Sequence, residues 1–236
     1  MDGAGEPGDE GVMDGPGDIS DDALRLWNAA RALNAAALAR DGDRVSLPPL
    51  LFFTDPVRTP RPWETAARLS AGSAVVYRHF GAADAVETAQ RLRDVTGARD
   101  VRLLIGLDAD LAATVGADGV HLPERALDSV QAFRRRWPEW VLTGAVHSVE
   151  AAAGAPVQLD AVVVSPIFPA GGASAARAAT GVEALRLAVR QASRPVYALG
   201  GVNAQTVDRL ADTGVCGIAG VDAVQRAFSG RAYPRT

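Results

Sequence analysis

The stretch Pro195-Val-Tyr-Ala-Leu-Gly-Gly-Val-Asn203 has the residue types of a phosphate site. Its apolar run stops abruptly at a pair of glycines, Gly200 and Gly201, as a strand buried on both faces does. Asn203 is placed to cap a following helix. Such a junction leaves backbone N–H groups unpaired and lets a ligand approach the chain closely, which a phosphate site requires. The same two glycines are also typical of a plain strand–helix connector.

Three side chains that could carry charge or move protons follow apolar runs. His147 follows Val141–Val146, and Arg78 and His79 end another run. A histidine at the end of a buried strand can titrate near neutrality and transfer protons, whereas an adjacent arginine and histidine can bind an anion. His147 could instead be a structural residue that holds its loop by a hydrogen bond, and His79 could lie on the surface. His121, inside a further run, is predicted to be structural.

The composition excludes several classes of protein. The 236 residues carry a formal net charge of −4 and no basic block, which disfavours nucleic-acid binding. The sequence has no lysine, so Schiff-base chemistry, a pyridoxal phosphate anchor and a Walker-type loop are excluded. No apolar run approaches the roughly 20 residues of a membrane helix, and the acidic N-terminus is unlike a signal peptide. The single cysteine, Cys216, lies in an apolar run, which predicts a buried residue in a reducing, cytoplasmic protein.

Three segments are predicted along the chain. Residues 1–20 are acidic and glycine-rich and should form a disordered leader. Residues 21–48 hold a helix, which ends at about Arg40, and a linker; the helix is predicted to dock on its own domain, with a partner protein as the alternative. The apolar residues predicted on its docking face are Leu24, Trp27, Ala30, Leu33 and Leu38. Residues 49–230 form the main domain.

Short apolar runs and helical patterns alternate through the main domain. The predicted strands are Leu50–Thr54, Ala74–Arg78, Val101–Ile105, Gly119–Leu122, Val141–Val146, Ala161–Ser165, Val196–Leu199 and Gly217–Gly220. The predicted helices are Pro62–Leu69, Ala83–Thr96, Ala109–Val115, Leu127–Trp137, Val149–Ala153, Gly181–Gln191, Ala204–Thr213 and Asp222–Phe228. Eight alternating units predict an α/β fold, a (β/α)8 TIM barrel with an extra N-terminal helix, with an open doubly wound sheet as the alternative. A barrel places its site at the C-terminal ends of the strands, with phosphate near the loops after strands seven and eight.

Five short motifs stand in order at barrel-like spacing. They are Thr54-Asp55 after strand one, Gly116-Ala-Asp-Gly-Val-His-Leu122 around strand four, Val146-His147-Ser148 after strand five, Ser165-Pro-Ile-Phe-Pro169 after strand six and Ala198-Leu-Gly-Gly-Val-Asn203 after strand seven. Together they resemble the thiamine phosphate synthase family, which includes the thiazole tautomerase TenI, over about Leu50–Phe228. The resemblance implies an enzyme that joins an aminopyrimidine diphosphate to a thiazole phosphate and releases pyrophosphate with the help of Mg²⁺.

The chain departs from this family where the family holds Mg²⁺. The family's Asn-Asp pair after strand three falls on Gly106 and Leu107, and its second metal aspartate falls on Ala126. These residues offer no carboxylate to a magnesium ion. No cofactor is therefore expected, with Mg²⁺ only if synthase activity survives. The nearby carboxylates, which are predicted to be solvated surface groups instead of a rebuilt metal site, are Asp108, Asp110 and Glu124.

The groups that hold the diphosphate in the family also change. Its Thr-x-Thr-Lys run reads Ala170-Gly-Gly-Ala173 here, which leaves Arg177 as a cation that could reach back from that loop. The family's Gln-Leu-Arg-Glu-Lys after strand two reads Val76-Tyr-Arg-His-Phe80, which keeps only Arg78. A departing diphosphate then loses most of its electrostatic stabilisation, which argues against ordinary synthase activity. The histidine of the tautomerases falls on Pro166, so their proton shuttle is not carried over.

The resemblance places the phosphate-binding amides at Gly181, Gly200, Gly201 and the start of the last helix, Asp222-Ala223. The family has a serine at the position of Asp222. A carboxylate at a helix N-terminus is a good cap. Beside a phosphate dianion, however, it is repulsive by about 1–4 kcal/mol at a separation of about 4 Å. Asp222 could therefore replace the phosphate with its own charge, in which case the site would prefer a neutral or cationic ligand.

Three functions follow as hypotheses. The first is a protein of thiamine biosynthesis that binds a thiazole or pyrimidine phosphate at the barrel mouth. Its candidate catalytic residues are His147, Arg78 and His79. The second is a non-catalytic barrel used as a binding module, and the third is an active thiamine phosphate synthase. The expected partner is a small phosphorylated heterocycle, with no nucleic acid and no membrane, and the sequence leaves the oligomeric state open.

Overall fold

The computed structural model describes residues 19–41, 47–171 and 178–229. Most of the predicted leader, and the predicted cation Arg177, lie outside these residues. The strands are Leu50–Phe53 (β1), Ala74–Tyr77 (β2), Arg102–Gly106 (β3), Gly119–Leu122 (β4), Val141–Val146 (β5), Ala161–Val164 (β6), Val196–Leu199 (β7) and Gly217–Gly220 (β8). The helices of the described residues are Asp21–Asp41 (α1), Pro62–Ala66 (α2), Ala85–Gly97 (α3), Ala109–Thr114 (α4), Val130–Arg136 (α5), Val149–Ala153 (α6), Gly181–Gln191 (α7) and Asp222–Phe228 (α8), with 3₁₀ turns at Glu124–Ser129 and Val207–Leu210. None of these helices is long and apolar enough to span a membrane.

The eight strands close into one parallel barrel in sequence order, with β8 paired to β1. The predicted (β/α)8 TIM barrel is therefore confirmed, and the open sheet is excluded. Four strands have the predicted bounds, and the other four differ by one residue at one or both ends. The strands form where the sequence places β-branched and other large apolar residues in short runs, because both of their faces are buried between helices and barrel interior.

Alternate strand residues divide the core into two layers. One layer fills the barrel interior and includes Leu51, Phe53, Val76, Leu104, Val163 and Tyr197. The other lies between the sheet and the helices and includes Phe52, Val75, Leu103, Leu142 and Val162. Because side chains alternate along a strand, the residue that follows each interior position points outward. This alternation decides which residues reach the mouth of the barrel.

The connection from β7 to β8 does not contain the predicted helix Ala204–Thr213. It holds only the 3₁₀ turn Val207–Leu210. Asn203 accepts hydrogen bonds from the N–H groups of Gln205 (2.9 Å) and Thr206 (3.0 Å) through its side-chain oxygen. Such local side-chain bonds satisfy the backbone in a turn and so compete with a regular helix.

Helix α1 packs beside this turn. It contacts β8, α8, β1 and the 3₁₀ turn, and Arg25 forms an exposed ion pair with Asp208. The Ser20 hydroxyl donates to the Ala227 carbonyl at 2.7 Å, which ties the start of α1 to α8. The helix therefore covers the part of the outer layer where the β7–β8 connection is short, and docking on its own domain is observed.

The docking face of α1 differs from the predicted one. Leu24 and Leu38 are 50% and 39% exposed, and Leu26 is 1% exposed. The small residues that are buried with Leu26 are Ala23, Ala30 and Ala37. Alanines allow a helix to approach a neighbouring surface closely, so the contact face follows the small residues and displaces two of the predicted leucines into solvent.

Candidate functional site

A cavity of about 230 Å³ opens at the C-terminal ends of the strands, between the loops that follow β6, β7, β8, β1 and β2. This is the end of the barrel where the fold places a site. The described lining includes three arginines, Arg58, Arg78 and Arg226, together with Asp222, Ala223 and the two glycines, Gly200 and Gly201. Four of the predicted phosphate-binding residues therefore share one cavity with one of the three predicted catalytic residues.

Arg78 is a largely buried cation with a hydrogen-bond donor to spare. Its Nε donates to the Thr54 carbonyl at 2.8 Å, whereas its Nη2 is buried with no hydrogen-bond partner. The guanidinium carbon lies 5.3 Å from the centre of the Phe53 ring and 5.4 Å from that of the Phe80 ring. Burial lowers the pKa of Arg78 to about 10, with the nearby Asp55 carboxylate opposing and the Arg58 charge adding to this shift. Arg78 is still charged at neutral pH and can bind an anion.

Arg58 joins two carboxylates at the edge of the cavity, and the sequence reasoning did not single it out. Its Nη1 lies 3.0 Å from Asp222 Oδ2, and its Nη2 lies 3.2 Å from Asp55 Oδ2. Partial burial raises the pKa of Asp55, but the backbone N–H and the guanidinium of Arg58 outweigh this effect and hold the pKa below its ordinary value. The only sequence signal for Arg58 is its place five residues after β1, in a loop at the mouth.

The sequence position of Asp222 suggested that it caps α8, but it does not. Val221 occupies the N-cap position of α8, and no side-chain capping bond is formed there. The Asp222 carboxylate instead turns to Arg58, across the junction between β8 and β1. A charged partner in the loop after β1 therefore determines where this carboxylate lies.

The loop after β6 packs against the two-glycine turn. Gly200 has a φ of +95°, and a Cβ there would lie 2.7 Å from Pro166 Cα. Gly201 has a φ of +67°, and a Cβ there would lie 2.6 Å from Phe168 Cβ. The Phe168 N–H also donates to the Gly200 carbonyl at 3.0 Å. Both glycines are therefore required by the approach of this loop, whether or not a ligand binds at the same turn.

Gly181 is placed differently from Gly200 and Gly201. It lies at the start of α7 with a φ of +79°, and its N–H donates to the Ile167 carbonyl at 3.0 Å. The described lining of the cavity does not include it. Its predicted role in phosphate binding stays a prediction, and the structure commits its N–H to the loop after β6.

His147 is held by the end of β6. Its Nδ1 lies 2.8 Å from the Ser165 carbonyl and 3.3 Å from the Ser165 hydroxyl. Because a carbonyl oxygen can only accept, Nδ1 carries the hydrogen and Nε2 is the basic nitrogen. The neighbouring Ser148 caps α6 by accepting from the Ala151 N–H at 3.0 Å. His147 is not part of the described cavity lining, so the structure does not bring it to Arg78.

His79 joins the loop after β2 to the loop after β3. Its Nδ1 accepts from the Gly81 N–H at 3.1 Å, so Nε2 carries the hydrogen and faces Asp108 Oδ2 at 3.3 Å. The other oxygen of Asp108 caps α4 by accepting from the Leu111 N–H at 2.8 Å. Asp108 therefore links two loops, and its side chain keeps 39% exposure to solvent. Both ring nitrogens of His79 are occupied away from the cavity.

His121 lies in the barrel interior beneath the mouth. Its Nδ1 lies 2.9 Å from the Thr143 hydroxyl, and its ring packs edge-on against Phe53 with 4.9 Å between ring centres. Burial, and to a lesser degree the charge of Arg78, lower the pKa of His121 to about 3. The ring is neutral in the folded protein, which agrees with the predicted structural role.

The residues present do not fit a magnesium ion. Leu107, at the position of the family's metal aspartate, places an apolar side chain in solvent with 42% exposure. Within residues 19–41, 47–171 and 178–229, no three His, Cys, Asp or Glu side chains come close enough together to hold a metal ion. Mg²⁺ is usually held by one or two carboxylates together with waters and substrate phosphates, and Leu107 supplies no such oxygen.

Known proteins are similar to this chain in sequence. The family model described as thiamine monophosphate synthase matches residues 54–224, well over half of the chain. A thiamine-phosphate synthase of Vibrio campbellii is 30% identical over 148 residues, which cover 62% of this chain and 72% of that protein. A thiamine-phosphate synthase of Archaeoglobus fulgidus is 35% identical over 143 residues, which cover 60% of this chain and 66% of that protein.

A solved structure supports the same relationship. The thiamine phosphate pyrophosphorylase of Pyrococcus furiosus superimposes with a TM-score of 0.65 at 26% identity, covering 77% of this chain and 92% of that one. Residues 54–224, which the family model matches, contain every strand from β2 to β8 and the cavity residues Arg58, Arg78 and Asp222. The chain therefore belongs to the thiamine monophosphate synthase family.

Proposed function

We propose that this protein binds a thiazole or pyrimidine phosphate in the cavity at its barrel mouth, as part of thiamine biosynthesis. The observation that carries the proposal is the convergence of Arg58, Arg78 and Arg226 on one cavity, with a buried donor of Arg78 unpartnered. Guanidinium groups form strong, charge-assisted hydrogen bonds to phosphate oxygens. A phosphate oxygen would also supply the acceptor that the buried Nη2 atom lacks.

The charges around the cavity favour a single anion. Among the described residues, the cavity is lined by three arginines, Arg58, Arg78 and Arg226, and by Asp222, and a second carboxylate, that of Asp55, pairs with Arg58. The excess of one positive charge attracts a phosphorylated ligand, and the nearby backbone of Gly200 and Gly201 allows close approach. The volume of about 230 Å³ lies below the range of about 300–1,000 Å³ for pockets of drug-sized ligands. It suits one small phosphorylated ring better than two joined substrates.

Binding of these ligands is measured by thermal denaturation of the wild-type protein. The probes are thiazole phosphate, aminopyrimidine diphosphate and thiamine phosphate, each over a range of concentrations. A ligand at 100 times its Kd stabilises a protein by about 2.7 kcal/mol, which raises Tm by about 5–10 °C for a barrel of this size. Arg78→Gln should abolish the shift, whereas Arg91→Gln, which removes an arginine stacked on Trp63, should retain it. If no probe shifts the wild-type Tm, the proposal is wrong.

Synthase activity is the second candidate, because the relatives of this chain carry that name at 30–35% identity. Leu107 and Ala126 argue against it, since the reaction would need another means of holding Mg²⁺ at the diphosphate. Incubation of the pure protein with both substrates and Mg²⁺ tests this alternative. We expect binding without pyrophosphate release. Mg²⁺-dependent release that exceeds a protein-free control would establish the enzyme instead.

A further inference from the structure

An ion pair of the protein's own occupies one side of the proposed phosphate cavity. Asp222 Oδ2 lies 3.0 Å from Arg58 Nη1, and both residues line the cavity. The side chains of Arg58 and Asp222 are 25% and 35% exposed, so the pair is partly desolvated yet reachable by a ligand. A bound phosphate would meet this pair directly.

The ion pair reduces the number of Arg58 N–H donors that are available to a ligand. A guanidinium has five N–H donors, and two of its three nitrogens here face carboxylates, Asp222 and Asp55. A phosphate that binds Arg58 must share these donors or displace a carboxylate. Asp55 is fixed by the backbone N–H groups of Val57 and Arg58, at 3.1 and 3.0 Å. Among the hydrogen bonds of the described side chains, Asp222 has no such anchor and is held by Arg58 alone.

We propose that Asp222 is a specificity-determining residue that competes with the phosphate of the ligand for Arg58. This inference rests on the proposed binding of a phosphorylated heterocycle in the same cavity. The Asp222 carboxylate repels a phosphate dianion and supplies Arg58 with an anion when the cavity is empty. Asp222 therefore lowers the contribution of Arg58 to phosphate binding and narrows the difference in affinity between the phosphate and the corresponding alcohol, while Arg78 and Arg226 still favour the phosphate.

A purely structural ion pair would behave differently. Partly exposed ion pairs contribute little to stability, so removal of a structural pair would change Tm slightly and leave ligand preference unchanged. A competing carboxylate, in contrast, changes the ratio of affinities for two ligands that differ only in the phosphate. This ratio is the measurement that separates the two roles.

Calorimetric titration of thiazole phosphate and the thiazole alcohol gives the ratio. Asp222→Asn keeps the size of the side chain and removes its charge. We expect this variant to bind thiazole phosphate about tenfold more tightly than the wild-type protein, and the alcohol within twofold. The matched control is Asp208→Asn, which removes the same charge from the exposed ion pair with Arg25, outside the described cavity lining. The control should leave both affinities unchanged.

Equal phosphate-to-alcohol ratios in the wild type and Asp222→Asn would overturn the inference while leaving the proposed function intact. Inorganic phosphate provides a probe that does not depend on the heterocycle. Phosphate should raise the Tm of Asp222→Asn at about tenfold lower concentration than the Tm of the wild type. If no heterocycle binds, the proposed function fails, and the phosphate titration still decides the role of Asp222. Asp222→Ser serves as a second variant, so that a folding defect in one does not remove the comparison.

Discussion

Replacement of Arg78 by methionine should abolish phosphate binding and leave the stability of the fold nearly unchanged. The charged guanidinium is disfavoured by its surroundings, since burial lowers its pKa from 12.5 to about 10. A shift of this size corresponds to about 3 kcal/mol of lost favourable interaction for the charged form. At pH 7, which lies below both values, arginine is charged in the folded and in the unfolded chain. The whole cost is therefore present under ordinary assay conditions.

The substitution also removes favourable contacts of Arg78. The hydrogen bond from the charged Nε to Thr54 contributes about 1.5–3 kcal/mol, and the two cation–π contacts, with Phe53 and Phe80, contribute about 0.5–1 kcal/mol each. Methionine fills a similar space, and its contacts with aromatic rings return about 0.3–1.5 kcal/mol. The lost contacts and the relieved cost of burial nearly cancel, so the free energy of unfolding should change by no more than about 1 kcal/mol, which is a change in Tm of at most about 2–4 °C for a domain of this size.

Thermal and urea denaturation of Arg78→Met without ligand measure this change in stability, and calorimetry with thiazole phosphate measures binding. Arg91→Met is the control, because Arg91 lies on the exposed surface with its guanidinium carbon 4.0 Å from the centre of the Trp63 ring. The free energy of unfolding of this control should fall by up to about 1 kcal/mol, and its affinity for the ligand should not change. If Arg78→Met loses more than about 2 kcal/mol of unfolding free energy, or still binds phosphate with wild-type affinity, Arg78 is a structural residue and not a desolvated anion receptor.

Three further predictions concern the frame around the site. Burial lowers the pKa of His121 from 6.5 to about 3, so between these values the unfolded chain binds a proton that the folded chain does not. As the pH falls below 6.5, this residue should therefore lower the free energy of unfolding by about 1.4 kcal/mol per pH unit. Urea denaturation at pH 7 and at pH 5 should show a smaller loss of stability in His121→Gln than in the wild type. Gly201→Ala should lower the free energy of unfolding, measured by urea denaturation, by about 2–4 kcal/mol, because the new Cβ would clash with Phe168. The control Gly72→Ala should lower it by only about 1 kcal/mol, because Gly72 also has a positive φ, +82°, but has open space around it. Leu26→Ala should lower the free energy of unfolding by about 2–4 kcal/mol, and an exposed control, Leu24→Ala, by less than about 0.5 kcal/mol; equal losses would mean that α1 does not dock as described.

The fold could be predicted from the sequence because its signals are local and repeated. Each strand is a short apolar run bounded by polar residues or glycine, and each run predicts a buried strand independently of the other runs. The order of runs and helical patterns then leaves few topologies, and the closed barrel is one of them. The helix predicted at Ala204–Thr213 failed for a local reason as well, since Asn203 and Thr206 satisfy the backbone as a turn.

The site could be predicted only in part. The sequence determined the residue types at the mouth, including Arg78, the two glycines and Asp222, and it determined that carboxylates are missing where the family holds its metal. It could not pair Arg58 with Asp222, because these residues are 164 positions apart in sequence and meet only when β8 closes on β1. The pairing of β2 with β3 and of β5 with β6 also decided that His79 faces Asp108 and that His147 faces Ser165. Residue type is a property of the chain, whereas the partner of a charged side chain depends on which strand ends become neighbours in the closed barrel.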